Sequence, residues 1–247
     1  MRGAPTLAGL AVLVALAALL ELAVAADLVS GYIVAPPSAV LAALGPLMTD
    51  EPLAEAFALT FGATILAAAL ATAIGVPAGY ALYRWPLLGR AYEGWVAALF
   101  AAPLVLLYPM FLVVFGRSIR VVIAMGVVVG VIPIVLKTRE GLLAVRPVLI
   151  AVARSYGADD GAVLRKVLLP AARPAIFTGL RLCLIYAMTN IVGIEFLANL
   201  NGLGFLVGEL SDRYDIPGMY AAIGCLILTS ALFYALTGRL ERWAGAR

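Results

Sequence analysis

Long runs of Ala, Leu, Val and Ile recur along this chain with scarcely a charge inside them, and runs of that length allow few ways of folding. A helix that crosses a bilayer needs about 20 such residues. Residues 7–26 hold one charge, Glu21, and further apolar runs cover residues 57–82, 95–115, 121–136, 175–197 and 219–236. The chain is 64% hydrophobic and 13% charged, too little polar surface to cover a soluble globule of 247 residues. The expected architecture is all-α: a polytopic membrane bundle of six helices, with residues 1–247 as a single domain and no soluble domain beside it.

The first run has a second reading. Arg2 precedes it, and Ala23, Val24 and Ala25 form an Ala-x-Ala site of the kind that ends a secretory leader. Its length suits a span better than a leader core, which favours a retained helix.

Charge orients the spans. Residues 27–55 contain no Lys or Arg and carry Asp27, Asp50, Glu51 and Glu55, whereas Tyr83, Arg84 and Trp85 make an aromatic and basic collar. Residues 198–218 set Glu209, Asp212 and Asp215 against Arg213 alone. With both termini cytoplasmic, every Lys and Arg except Arg117, Arg120 and Arg213 falls on or near the inner side. Those inner loops account for the net charge of +3, and no basic patch is interleaved with aromatics as a nucleic-acid partner would require. The chain has no His, which excludes Ser-His-Asp triads, HExxH zinc sites and His proton relays. Cys183 and Cys225 lie inside apolar runs without a CxxC pattern and read as small buried hydrophobes.

Pro103 and Pro109 must bend or break the third run. Gly126 and Gly130 in the fourth, and Gly75 and Gly79 in the second, read as close helix packing.

The most ordered polar segment is the insert at residues 137–174, with Lys137, Arg139, Arg146, Arg154, Arg165, Lys166 and Arg173. Leu149, Ile150, Val152, Ala153 and Tyr156 share one helical face behind Pro147, and Gly157 ends that helix. Asp159 and Asp160 open the next, where carboxylates complement the helix dipole. Val163, Leu164, Val167 and Leu168 form its apolar stripe opposite Arg165 and Lys166, and Pro170 is expected to stop it. The expectation is two short amphipathic helices at a glycine elbow. A loop lying on lipid headgroups is the plainer reading. Asp159 and Asp160 suit an anionic surface poorly, and Gly between prolines specifies shape, so docking is favoured.

This string resembles the cytoplasmic coupling loop, of the EAA type, found in permease subunits of bacterial binding-protein-dependent ABC importers. The matches are Ala153, Gly157, Ala158, Val167, Leu169, Pro170 and Pro174, continuing into FTGLRL from Phe177, while Ala151 stands where the family has Glu and Val152 where it has Ala. The stretches APPSAVLAAL, AAPLVLLYPMFLVVFG and EFLANLNGLGFLV are similar to the branch carrying nitrate, alkanesulfonates, taurine and related organic compounds, and the likeness runs over residues 35–242.

The resemblance implies a type I importer permease fold with the coupling loop between helices 4 and 5, in a multi-pass protein of the bacterial inner membrane. It implies as partners an ABC ATPase dimer, a second permease copy or paralogue, an extracytoplasmic solute-binding protein and membrane lipid. The chain has no GxxxxGK(S/T) phosphate loop, so it is expected to be no enzyme and to hold no cofactor or metal, ATP and Mg being bound by the ATPase. ATPase docking then falls on Ala153, Tyr156, Gly157, Ala158, Asp159, Val163, Leu164, Val167, Leu168 and Pro170.

Candidates for the translocation path or gate are Thr189, Asn190, Glu195, Gly202 and Gly204. Glu195 is an ionisable residue within a span, or else an interfacial carboxylate reaching water. Thr189 and Asn190 hydrogen-bond a solute or join helices. Gly202 and Gly204 match the family's external GLG turn, at the outer gate or the binding-protein contact, or make a plain turn. Arg181, near the inner end of the fifth run, snorkels or pairs with a carboxylate. A membrane-embedded lipid-modifying enzyme would need clustered carboxylates or a nucleophile with its base, and the spans offer only the scattered Glu21, Arg181 and Glu195. A scaffold without a transport role leaves the ordered elbow unexplained.

Overall fold

The computed structural model describes residues 3–31 and 33–243, so Arg2 and Arg247 lie outside it. Among the described residues all regular structure is helical. The helices are α1 Gly3–Ala25, α2 Pro37–Thr49, α3 Leu53–Arg84, α4 Pro86–Ala101, α5 Tyr108–Phe115, α6 Ile119–Leu143, α7 Pro147–Ser155, α8 Asp160–Val163, α9 Leu169–Leu197, α10 Leu203–Asp212 and α11 Ile216–Trp243.

Small residues decide the packing of the centre. α3 buries Ala56, Thr60, Ala63, Thr64, Ala67, Ala68, Ala71, Gly75 and Gly79, a stripe at helical spacing with scarcely any side-chain bulk. α6 lies between that stripe and α9. A Cβ added at Gly126 would come within 2.9 Å of both Ala67 and Ile191, and one at Gly130 within 2.6 Å of the Cys183 sulfur. Without a hydrophobic driving force between helices in lipid, such close backbone approach supplies the van der Waals contact that associates them. Both α3 and α9 meet α6 in this way, and the outer face of the triple carries Ile65, Leu66 and Leu70 exposed toward the surroundings.

Six spans were expected, and four helices are long and apolar enough to cross alone: Leu53–Arg84, Ile119–Leu143, Asp160–Leu197 and Ile216–Arg239. α4 with Leu104–Phe115 makes a fifth if the pair counts as one span, but it is bent by 89°. α1 follows the first apolar run, although its stretch Ala11–Ala25 is short for a span. Its Glu21 accepts from the backbone N–H and hydroxyl of Ser38 at 3.0 and 2.6 Å, pinning the start of α2.

Three boundaries depart from the sequence expectation. The third apolar run begins in a helix at Pro86 rather than residue 95, and it breaks at Ala102–Pro103. Pro109 causes no break, because it sits in the first turn of α5, where its missing N–H costs nothing. α6 continues through Lys137 to Leu143, so the insert is shorter than residues 137–174. Pro170 does not stop a helix either. Residues Leu164–Leu168 form a π-helical turn between α8 and α9, and the Leu169 N–H bonds to the Leu164 carbonyl. That wider turn accommodates a proline ring that would clash with the carbonyl four residues back in a regular helix. The path from Asp160 to Leu197 is therefore one helix of 38 residues.

Candidate functional site

Two structured regions sit at opposite ends of α9. At one end α6 hands over to α7 through Arg146, with Pro147 in the first turn. α7 closes in a Schellman arrangement: the Gly157 N–H donates to the Arg154 carbonyl at 2.9 Å and the Ala158 N–H to the Ala153 carbonyl at 3.1 Å. Gly157 has φ +79°, which L side chains rarely adopt, and this fixes the elbow angle. Asp159 caps the next helix, its carboxylate accepting from the Ala162 N–H at 2.7 Å. Asp160 bridges two cations, Arg84 at the end of α3 at 2.9 Å and Arg154 on α7 at 3.0 Å.

Burial divides the expected docking residues. Val163 and Leu168 are buried with Leu142, Val145 and Ala172, and Ala153, Ala158, Leu164 and Val167 pack against that cluster. These side chains hold the elbow's shape and face away from its outer surface. Pro170 lies in the first turn of α9. The open apolar surface is made instead by Val148, Leu149 and Val152 with Tyr156, which is 88% exposed. Ile150, placed by sequence on that same face, packs inward.

At the other end of α9, Glu195 is 0% exposed. The reading of it as an interfacial carboxylate reaching water is therefore replaced by a buried knot. The Thr60 hydroxyl of α3 lies 2.9 Å from both Glu195 oxygens and donates to them, and the Gly204 N–H donates at 3.0 Å. Thr60 Oγ1 in turn accepts from the Leu203 N–H at 2.9 Å. Gly202 and Gly204 are both buried, and a Cβ on Gly202 would overlap the Glu195 carboxylate while one on Gly204 would overlap the Val192 carbonyl. The GLG turn thus lies over the carboxylate. Thr60 was missed from sequence, where it is one Thr in an apolar run; its only signal is its place in the small-residue stripe of α3. Just beyond, Arg213 pairs with Glu51 at 2.7 Å and with Glu209, and these carboxylates, Glu209 foremost, hold its pKa above the usual value.

Between the two ends a cavity of about 580 Å³ opens beside α9. Thr189 and Asn190 line it together with Phe100, Tyr186 and the broken segment at Ala102–Pro103. Glu195 does not line it, although Gly204 does. Arg181 stacks its guanidinium 3.8 Å from the centre of the Tyr234 ring, a cation–π contact between α9 and α11. Among the described residues no group of three His, Cys, Asp or Glu is placed to hold a metal.

Comparison with known proteins places this geometry. The family model described as "Binding-protein-dependent transport system inner membrane component" matches residues 71–245. The riboflavin transport system permease protein RibX of Chloroflexus aurantiacus is 32% identical over 159 residues, 64% of this chain and 59% of that protein. The chain thus spans somewhat under two thirds of that relative's length. The taurine transport system permease protein TauC of Escherichia coli is 28% identical over 228 residues, 89% of this chain and 83% of that protein. The fold is similar to a chain of the MetNI methionine ABC transporter in inward-facing conformations, with TM-score 0.66 and 23% identity over 75% of this chain and 93% of that one.

Proposed function

The chain belongs to the binding-protein-dependent transport system inner membrane components and is a permease subunit of an ABC importer, and from that premise we propose how its parts divide the work. It is a multi-pass inner-membrane protein and, as a permease subunit, is itself no enzyme; hydrolysis belongs to a separate ATPase subunit. The elbow docks on that ATPase. Val148, Leu149, Val152 and Tyr156 supply the contact, while Gly157, Ala153, Ala158, Asp159, Val163, Leu164, Val167, Leu168 and Pro170 set its angle. The observation that carries this reading is the continuity of the elbow with α9, an unbroken helix from Asp160 to Leu197 whose start is capped and ion-paired. A push on the elbow is a push on α9.

The solute path runs beside α9 at Thr189 and Asn190, near the break in the α4–α5 pair, in keeping with transporter sites built at interrupted helices. The Glu195 knot, with Gly202 and Gly204, sets the outer closure. Residues 1–247 act as one unit beside a second permease, identical or paralogous, with an extracytoplasmic binding protein on the acidic side. The elbow and both termini are cytoplasmic, as the distribution of Lys and Arg supports. The solute is a small organic compound, in keeping with the names of the taurine and riboflavin relatives.

The test is capture and coupling. The chain should copurify with an ATPase subunit, and the double substitution Val152→Asp with Tyr156→Asp should abolish that capture while leaving the permease folded in detergent. Undiminished capture and uptake in the double variant would overturn the assignment.

A further inference from the structure

We propose that Arg139 of α6 and Glu93 of α4 form the inner gate of the solute path, an ion pair that closes the cavity beside α9 on its elbow side. The gate deepens the path proposed beside α9 and rests on it.

Register places the pair. Ile132 on α6 and Phe100 on α4 both line the cavity. Arg139 follows Ile132 by seven residues toward the elbow, and Glu93 precedes Phe100 by seven residues toward the end of α4 that adjoins Arg84. Seven residues are two turns, so each charged residue shares a face with its cavity residue and lies about 10 Å nearer the elbow. The two walls are bridged there. Arg139 Nη1 lies 2.5 Å from a Glu93 oxygen.

The bridge is set into the helix contact. The Arg139 side chain is 12% exposed, unlike the pairs at Asp160, whose members are all more than half exposed. α4 makes room for it at Gly89, one turn before Glu93, where an added Cβ would overlap the Leu82 carbonyl and come within 3.0 Å of Arg139 Nε. Glu140, the next residue along α6, is taken by Lys137 at 2.6 Å. Among the described residues, Glu93 is the carboxylate paired with Arg139.

The contact is also one that can be left. Helices joined by close-packed glycines, as α6 is to α3 and α9, part only by losing their packing. An ion pair can exchange its partner for water, and the Glu93 side chain is already 53% exposed. Arg139 Nε is buried with no hydrogen-bond partner, so the closed arrangement leaves one donor unmet. A pair shielded on one side, open on the other and incompletely bonded holds α4 against α6 in one state and releases it in another. Release frees Leu99 and Phe100 on α4 from Val129 and Ile132 on α6, and the cavity opens toward the elbow.

The experiment uses the assembled complex of permeases with the ATPase subunit in inside-out vesicles, with Cys183 and Cys225 replaced by alanine and Ile132→Cys as reporter. A membrane-impermeant methanethiosulfonate added on the elbow side labels the reporter, with and without ATP and vanadate. The parent should label slowly in one of the two conditions. Glu93→Gln should raise that slow rate about 5–10-fold, the population shift that follows loss of a charged hydrogen bond. Glu93→Asp, which keeps the carboxylate, should fall between, and Arg139→Gln gives the same release from the other helix if Glu93→Gln does not assemble. A second reporter, Ser118→Cys at the opposite end of α6, labelled in right-side-out vesicles, should keep its rate. Equal parent rates in both conditions, a slow rate that neither Gln variant changes, or equal acceleration at Ser118→Cys overturns the gate. A reporter at Ile132 that never labels refutes the path together with its gate. Copurification separates the readings: a complex that captures the ATPase yet shows no release refutes the gate alone, whereas a permease that captures no ATPase refutes the proposed function beneath it.

Discussion

Thr60→Val isolates the worth of the outer knot. The two side chains have nearly the same shape, so the substitution opens no cavity and changes only polarity. Thr60 is fully buried, donates its proton to the Glu195 carboxylate and accepts the Leu203 N–H. In the variant the carboxylate keeps only the Gly204 N–H, and the Leu203 N–H loses its partner. Hydrogen bonds between membrane helices average about 0.6 kcal/mol, because the unfolded chain in the membrane finds other partners. That figure describes bonds whose groups can be re-satisfied. Here the orphaned Leu203 N–H and the carboxylate left with one donor both stay inside a knot with no exposure, and an unsatisfied buried group costs about 1–3 kcal/mol. The expected loss is about 2–4 kcal/mol. Thr60→Ser keeps the hydroxyl and drops one methyl, about 1 kcal/mol. Denaturant unfolding of the three proteins in one detergent gives the ranking, and a cycle with Glu195→Leu gives the coupling, expected above about 1 kcal/mol. If the Val variant matches or exceeds the Ser variant in stability, or the cycle is additive, the knot does not hold α3 to α9.

Gly157→Val should leave ATP hydrolysis in the assembled complex but remove uptake: an added Cβ meets nothing within 4 Å, so the effect is the backbone cost of φ +79°, about 1–2 kcal/mol, and a changed elbow angle. Intact coupled uptake in that variant would sink the elbow reading. Gly204→Ala should be poorly tolerated, with a marked loss of folded protein by size-exclusion chromatography, because the new Cβ overlaps a backbone carbonyl that cannot rotate away. Asp160→Asn breaks the bridges to Arg84 and Arg154 but should cost under about 1 kcal/mol in stability, since all three side chains are more than half exposed. Its effect should appear in the ratio of ATP hydrolysed to solute taken up, measured in proteoliposomes.

The apolar runs revealed the helices because hydrophobic length is a local property, and Gly157 was legible because a positive φ leaves its mark on residue choice. Pro170 misled for a complementary reason. A proline announces a lost donor and a steric clash, but the sequence does not reveal that the turn before it widens to absorb both. The stripe Val163, Leu164, Val167 and Leu168 was visible as amphipathic, yet periodicity cannot tell a face turned to a partner from one turned to the chain's own Leu142 and Ala172. Glu195 was legible as a candidate and not as a knot. Its partners, Thr60 and the backbone of Gly204, lie on α3 and α10, and only the fold brings those elements together.

The continuity of the helix through Pro170 decides the mechanics. Had a helix ended there, motion of the elbow would be taken up by a hinge, and α9 would follow only through side-chain contacts. As it stands, Asp160 and Glu195 belong to one rod of about 50 Å at 1.5 Å per residue. The rod is clamped at one end by Arg84 and Arg154, and at the other by Thr60 of the same α3 that carries Arg84. α3 and α9 therefore form a closed pair, joined at both ends, with α6 seated between them against Gly126 and Gly130. The close packing of α6 against both helices and the buried Thr60–Glu195 contact hold the pair, while the exposed Asp160 bridges add little to it, so under the proposed function a displacement at the elbow tilts both helices together. Beside this pair stands the α4–α5 pair, bent by 89° at Ala102–Pro103 and lining the cavity beside Asn190. On the proposed function, tilting the α3–α9 pair against this bent one would change the width of that cavity.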